Sequence, residues 1–353
     1  MPGMLLQEPL DKTAELDCTQ TIHVLRDAIA YHGYEVVLIE ADEGAYERLR
    51  ASGVDLVFNI AEGIRGEDRE AQIPAMLEML GIPYTGSGPL SLALCLHKAK
   101  TKELLSWHGI PTPAFQVWHR LDEPLSDTLA YPLIVKLLHE GSSMGLSYES
   151  VVETDDALRR QVRYLRATYQ QPVLVEQFVE GREFTVPIIG NAPARALPVI
   201  EVLFKGPCPI TLFQPDDPVI RMLARAQGQR LMPADDVKLS EDQRFALLQT
   251  DTGTELEVPV SLTKSVCPAD VSQPLAENLQ KTALQAYRAL ECRDWCRVDM
   301  RLGADHVPRV LELNPIAGID PSYWFPRSAQ AAGMTYPDLI GAIIDAARQR
   351  CGI

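Results

Sequence analysis

Cys296-Arg-Val-Asp-Met-Arg-Leu302 and Val310-Leu-Glu-Leu-Asn314 are two alternating runs separated by a short polar stretch, and they read as a hairpin over 295–313. With a period of two, Arg297 and Asp299 share one face while Val298, Met300 and Leu302 share the other. Glu312 and Asn314 likewise share a face, opposite Leu311 and Leu313. Stacked across the hairpin, Asp299, Glu312 and Asn314 offer only hard oxygen ligands, which suit Mg²⁺ rather than zinc. Acids alternate with apolar residues in many solvated hairpins, so this pattern takes its meaning from what precedes it.

Upstream, the apolar strand Leu133-Ile-Val-Lys136 delivers a lysine just before the loop Glu140-Gly-Ser-Ser-Met-Gly145. Such loops wrap phosphate, because glycine permits close backbone approach and the N–H groups converge. An ordinary strand and Gly-Ser turn would look the same in isolation. A third cluster, Val173-Leu-Val-Glu176-Gln-Phe-Val-Glu-Gly-Arg-Glu183-Phe-Thr-Val186, reads as two short strands joined at Gly181. It places Glu176 and Glu183 where both could meet a nucleoside, or simply at strand ends on the surface.

The chain of 353 residues, 46% of them hydrophobic, can build two or three packed domains. It contains no run approaching the roughly 18 apolar residues of a membrane span and opens with no basic-then-apolar leader, so a cytoplasmic protein without a membrane partner is expected. A net charge of −15 argues against nucleic acid, which is held by basic surfaces. Focused lysines and a divalent cation can still hold a nucleotide in an acidic protein. The seven cysteines are scattered without a Cys-x-x-Cys, so buried reduced thiols are expected rather than zinc or disulfides. The seven histidines show no Ser-His-Asp logic, and His97 and His139 read as neighbours of a site rather than its bases.

Helix over 19–32, strand over 35–39, an apolar run over 54–60, a polar loop over 61–70 and helix over 71–80 suggest an N-terminal parallel sheet. A helix over 92–107 leads to the linker Gly109-Ile-Pro-Thr-Pro113. Residues 205–268 break the pattern with prolines and weak periodicity. A helix over 273–290, the hairpin and a terminal helix over 334–350 complete the chain. The expected division is 1–95, 96–185 and 186–353.

The order of these clusters resembles the D-alanine–D-alanine ligase family of the ATP-grasp superfamily. It is carried by Glu62-Gly-Ile-Arg-Gly-Glu-Asp68, Gly81-Ile-Pro-Tyr-Thr-Gly-Ser87, Lys98-Ala-Lys-Thr-Lys102, Lys136, Glu140–Gly145, Glu176 to Val186, and Arg297-Val-Asp299 to Glu312-Leu-Asn314. The resemblance implies an α/β (α+β) ATP-grasp fold, with an N-terminal parallel-sheet domain and two mixed-sheet domains clamping ATP. It further implies an ADP-forming ligase that joins two amino acids through an acyl phosphate. Lys98 and Lys136 would contact the phosphates, with Glu140, Gly141, Ser142 and Ser143 closing over them. Glu176 would face the adenine amine and Glu183 the ribose. Asp299, Glu312 and Asn314 would hold two Mg²⁺ ions, with Mn²⁺ as a substitute. Arg297 and the N–H of Gly318 would stabilise the oxyanion after amine attack. Amino acids as small-molecule substrates are the expected partners, and a homodimer the expected assembly.

The chain departs from the family in its amino-acid half. No Gly-Gly-x-Ser loop opens it, which leaves Glu15 and Asp17 as candidate acids for the first substrate, with Glu62 in place of a histidine. Pro315-Ile-Ala-Gly318-Ile-Asp320 stands where Thr-Ser-Pro-Gly-Met-Thr is usual, and the serine that grips the acceptor carboxylate falls at or beside Ser322 and Tyr323. The 205–268 excursion replaces a short loop and is expected to cover the site, with a helix-like 219–226. Substrates other than the D-alanine pair are therefore expected, with genuine D-alanyl-D-alanine synthesis as the alternative. A nucleotide-binding regulator without catalysis would have no use for Arg297.

Overall fold

The computed structural model describes residues 19–63, 65–204, 210 and 263–353. Candidates Glu15 and Asp17, and the helix expected at 219–226, lie outside these residues.

Helix α1 (Thr19–Tyr31) is followed by α2 (Ala45–Ser52), a 3₁₀ turn at Arg69–Ala71 and α3 (Gln72–Leu80). The strand expected at 35–39 is absent from the described residues, and the 54–60 run makes one parallel bridge, Val57 to Tyr84. The parallel direction expected for this part thus survives as a single rung. Its core is small, with Leu49, Ile73, Leu77 and Tyr84 packed together.

The single helix expected over 92–107 is two, α4 (Pro89–Leu96) and α5 (Lys98–Trp107). His97 breaks the path at φ −84°, ψ 89°, and its ring accepts the N–H of Lys100 as an N-cap. A side-chain acceptor at that position satisfies an otherwise orphan helical donor. The break sets Lys98 at the very start of α5.

A four-stranded antiparallel sheet follows, with spatial order β1-β4-β2-β3. Its strands are β1 (Phe115–Trp118), β2 (Leu133–Leu137), β3 (Val151–Val152) and β4 (Val173–Gln177). Helix α6 (Asp155–Tyr169) covers one face through Leu158, Val162 and Leu165, which pack on Leu133, Val135, Val173 and Val175. The opposite face carries Lys136 and Glu176.

The second sheet has β5 (Arg182–Ile189), β6 (Arg195–Ala196), β7 (Ile200–Phe204), β8 (Thr263–Val266), β9 (Trp295–Leu302) and β10 (Pro308–Asn314). Its order is β10-β9-β5-β7-β8, with β6 paired to β5, and all pairs are antiparallel. Helix α7 (Gln273–Ala289) lies across it, burying Leu279, Ala283 and Ala286 against Val186, Val298 and Met300. The join expected at Gly181 is present. Its φ is +143°, and a Cβ there would stand 2.1 Å from the Leu302 carbonyl oxygen, so only glycine fits.

Two departures concern the C-terminal third. Residues 263–266 belong to the sheet rather than to an irregular excursion, with Phe204 opposite Thr263 and Glu201 opposite Val266. The excursion thus joins two paired neighbouring strands. The terminal helix is preceded by a second one, so that α8 (Trp324–Ala331) and α9 (Tyr336–Cys351) end the chain, and α1 packs against α9 beside β5 and β9.

Candidate active site

Between the two sheets lies a cleft open to solvent. Its floor is the β9–β10 hairpin. Pairing is regular as far as Val310 opposite Met300, then shifts, so that Glu312 faces Asp299, Leu313 faces Val298 and Asn314 faces Arg297. Leu311 is the extra residue of a β-bulge, which turns two successive side chains to one side. Leu311 and Glu312 both line the cleft. Strict alternation placed Leu311 on the opposite face with Leu313, and the bulge is the reason it is not there. The grouping of Glu312 and Asn314 with Arg297 and Asp299 is as expected.

On this face the Arg297 guanidinium donates from Nε to Asp299 Oδ1 at 3.0 Å and from Nη2 to Oδ2 at 2.9 Å. Asn314 Nδ2 adds a bond to Asp299 Oδ2 at 3.0 Å. Glu312 faces Lys98 Nζ at 3.5 Å. Burial alone would push the Glu312 carboxyl up, but Lys98, Lys136 and Arg297 together hold it below the usual range. Arg297 also lies over the Trp324 ring at 5.2 Å, and Trp324 forms part of the cleft wall.

The roof is the first sheet and its loop. Lys98, Lys136, Glu140, Gly141, Ser142 and Ser143 all line the cleft. Ser142 and Ser143 have φ of 45° and 58°, two consecutive side-chain-bearing residues in the left-handed region. That conformation is uncommon outside glycine and costs about 1–3 kcal/mol for such a residue. The loop is held from outside: Glu140 accepts from Arg69 Nη2 at 2.8 Å and from Gln171 Nε2 at 2.7 Å, and Arg69 Nη1 donates to the His139 carbonyl at 3.0 Å. Lys98 Nζ donates to the Glu140 carbonyl. Arg69 is absent from the residues that the sequence singles out, although it directly follows the Glu62–Asp68 stretch. His97 and His139 stand beside this loop with ring centroids 4.5 Å apart, neighbours of the site as expected.

Glu176 lies at the inner end, only 1% exposed, between two ammonium groups. Lys102 Nζ is 2.6 Å from one carboxylate oxygen and Lys136 Nζ is 3.0 Å from the other. Burial raises the Glu176 pKa, but the two lysines outweigh it and the group stays below its ordinary value. In the sequence Lys102 is only one lysine of the Lys98–Lys102 motif, and its place beside Glu176 is given by the fold. The available signal was its spacing, since residues four apart on a helix share a face with Lys98. Glu183 pairs with Arg301 Nε at 3.2 Å, and the Arg301 guanidinium lies 4.7 Å from the Phe178 ring and 5.4 Å from that of Phe204. Met144, Leu146, Phe178, Val179 and Leu311 supply apolar wall. Ile210, within the excursion, is buried against Ile134 and Phe178 and also lines the cleft.

The residues expected at the amino-acid end are not drawn into the same cleft. Glu62, Gly318, Ser322 and Tyr323 are absent from its lining. Ser322 donates its hydroxyl proton to Asp320 Oδ1 at 2.5 Å, and Asp320 also accepts from Thr21 in α1 at 2.8 Å. The Ser322 hydroxyl is thus bonded within the protein, to a carboxylate two residues before it. Tyr323 is 52% exposed and its ring covers Gly318, where a Cβ would meet Tyr323 Cδ2 at 2.4 Å.

The donor set fits a hard cation. Among the described residues no group of three or more His, Cys, Asp and Glu could hold a metal. The set here is two carboxylates completed by the Asn314 amide, which is oxygen chemistry of the kind Mg²⁺ takes while keeping waters and phosphate oxygens for its remaining positions.

Two antiparallel sheets closing on a cleft with lysines on one side and acids on the other define an ATP-grasp ligase. Residues 104–213 and 253–345 match the family model described as D-ala D-ala ligase C-terminus. The interval between these two stretches falls inside the excursion. The chain is 34% identical over 323 residues to the D-alanine–D-alanine ligase of Bordetella pertussis, covering 91% of this chain and 87% of that one. It is 33% identical over 329 residues to the uncharacterized protein y4sG of Sinorhizobium fredii, covering 90% and 84%. The structure of the D-alanine–D-alanine ligase from Bacillus anthracis complexed with ATP superposes with a TM-score of 0.69 at 24% identity, over 96% of this chain and 95% of that one. VanG D-Ala:D-Ser ligase from Enterococcus faecalis gives a TM-score of 0.61 at 23% identity, over 83% and 73%. This chain belongs to the D-alanine–D-alanine ligase family and is an ATP-dependent, ADP-forming ligase. No helix among the described residues is long and apolar enough to cross a membrane.

Proposed function

We propose that the chain joins the carboxylate of one amino acid to the amine of another through an acyl phosphate, with substrates other than the D-alanine pair. The observation that carries this reading is the gathering of Arg297, Asp299 and Glu312 on one hairpin face, across a single cleft from Lys98, Lys136 and the Ser142–Ser143 loop. Phosphoryl transfer requires positioning and charge neutralisation rather than a protein nucleophile, and this arrangement supplies both.

In this reading Lys98, Lys136 and the loop N–H groups from Gly141 to Ser143 hold the phosphates. Glu176 and Glu183 face the base amine and the ribose. Asp299, Glu312 and Asn314 would hold the Mg²⁺, two ions in this reading, and the cation would supply neutralisation of phosphate charge. A donor carboxylate oxygen attacks the γ-phosphorus, ADP leaves, and the acceptor amine then displaces phosphate from the acyl carbon. Arg297 stabilises the oxyanion in that second step. Two of its five donors are occupied by Asp299, which fixes the plane of the guanidinium. The Gly318 N–H is proposed as the second oxyanion donor.

The altered acceptor end supports distinct substrates, because Ser322 donates a hydrogen bond to the buried carboxylate of Asp320. Synthesis of D-alanyl-D-alanine is the second reading, favoured by the 34% identity to a ligase so named. Incubation with ATP, Mg²⁺ and an amino-acid pool, with products read by mass spectrometry, separates the two. Donor carboxylate labelled with ¹⁸O must deliver label to the released phosphate with ADP as coproduct. AMP and pyrophosphate would sink the mechanism.

A further inference from the structure

We infer that Lys102 is a positioning residue which, with Thr112, forms a buried strut from the nucleoside end of the cleft to the strand that carries Glu312. The inference rests on the ATP-cleft reading above. Lys98 and Lys102 sit four apart on α5 but do different things. Lys98 reaches the phosphate loop, whereas the Lys102 side chain is 0% exposed and does not line the cleft. Its Nζ lies 2.6 Å from Glu176 Oε2 and donates to Thr112 Oγ1 at 3.0 Å. Thr112 Oγ1 in turn donates to the Val310 carbonyl at 2.8 Å. The Val310 N–H donates to the Pro111 carbonyl, also at 2.8 Å. Pro111 and Thr112 therefore clamp both polar groups of Val310, the last residue before the Leu311 bulge.

One unbroken polar chain thus runs from β4 through α5 and the 109–113 linker to β10. Val310 is where regular pairing stops, and the bulge after it is what turns Glu312 toward Asp299 and Lys98. An apolar side chain in its place would leave buried Glu176 with Lys136 as its one cationic partner and would take away the donor whose bond Thr112 Oγ1 accepts. The lysine is explained by what it holds in place. At one end it keeps Glu176 ionised and shared with Lys136, so that the Lys136 ammonium is not drawn wholly onto that carboxylate. At the other end it satisfies Thr112, whose hydroxyl steadies the bulge. Both effects reach ligands that Lys102 never touches.

The test uses the full chain and isothermal calorimetry of ATP binding, once with Mg²⁺ and once in EDTA, beside thermal unfolding. Lys102→Met should weaken ATP about tenfold in both conditions. Thr112→Val breaks only the far half of the strut, and should weaken binding severalfold with Mg²⁺ while leaving metal-free ATP unchanged. Thr112→Ser keeps the hydroxyl and should behave as wild type. If Lys102→Met does not fold, the contrast between the two Thr112 variants carries the test. A Thr112→Val protein that binds ATP as wild type does in both conditions overturns the inference, whatever its melting temperature. Failure of the wild-type chain itself to bind ATP would instead overturn the reading of the cleft.

Discussion

Glu312→Gln removes one negative charge from the cleft floor with little change of shape. In the wild-type structure this carboxylate faces Lys98 at 3.5 Å and is drawn below its ordinary pKa by Lys98, Lys136 and Arg297. Two unit charges at that separation interact by about 5 kcal/mol at an effective dielectric of 20. The Glu312 side chain is 28% exposed, so roughly half of that survives solvent screening. Without it, Lys98 loses its carboxylate partner, and Asp299 is left as the acid of the hairpin face that lines the cleft. Two consequences follow with opposite signs. Divalent cations are held less well, so the Mg²⁺ concentration for half-maximal turnover should rise at least about tenfold, and turnover at saturation should fall by about 10²-fold, roughly 3 kcal/mol. Metal-free ATP should bind as tightly as before, or more tightly, because the site has become more cationic. Phosphate release with an amino-acid pool across a Mg²⁺ titration reads the first effect, and calorimetry in EDTA the second. Unchanged turnover at limiting Mg²⁺, or a parallel loss of metal-free binding, would refute the assignment of Glu312 as a cation ligand.

Asp294 is 0% exposed and accepts bonds from Gly86 N, Asn191 Nδ2 and Arg350, which ties the 84–86 loop, the 190–191 turn and α9 together. Asp294→Ala strands the Arg350 guanidinium and should destabilise by about 3–5 kcal/mol, seen as a large fall in the urea midpoint; an unmoved midpoint would show the junction to be dispensable. Gly181→Ala places a methyl 2.1 Å from the Leu302 carbonyl, so the soluble yield should collapse, and normal expression would contradict the turn geometry. His97 and His139 both have pKa values held below 6.5, by burial first, and in His139 next by the His97 charge. Because their unfolded forms bind protons more readily, this contribution to stability is complete above about pH 6.5 and is lost as pH falls below it. Melting temperatures from pH 7.5 to 5 should therefore drop more steeply for wild type than for His139→Asn, and equal slopes would exclude the pair as the cause.

The family, and the grouping of Lys98, Lys136 and the Ser142–Ser143 loop with Arg297, Asp299 and Glu312, were legible because they rest on short-range order. Alternation places Arg297 and Asp299 on one face whatever the sheet does around them, and a Gly-Ser loop after a lysine-bearing strand declares itself over ten residues. A strand read as strictly alternating cannot show a bulge, however, since the extra residue is defined only by its partner. Leu311 was accordingly placed on the wrong face although its neighbours were right. Arg69 and Lys102 illustrate the same limit. Each is an ordinary basic residue in its own segment and acquires a role only from a carboxylate some 71 or 74 positions away in the chain, Glu140 or Glu176. Nothing local distinguishes such a residue from a solvated one.

What the sequence by itself determined is the set of chemistries available: lysines and a loop for phosphate, hard oxygens for a cation, an arginine for an oxyanion. What only the tertiary structure decided is which side chains are free to use them. Ser322 has a hydroxyl that the sequence leaves open to any partner, and folding brings Asp320 and Thr21 together beside it, so that it donates to Asp320. Glu176 lies between two buried or half-buried lysines and not at a strand end in water. The physical reason is that charge and hydrogen-bond capacity are shared among neighbours in space, and neighbours distant in sequence are settled by how the two sheets close on each other.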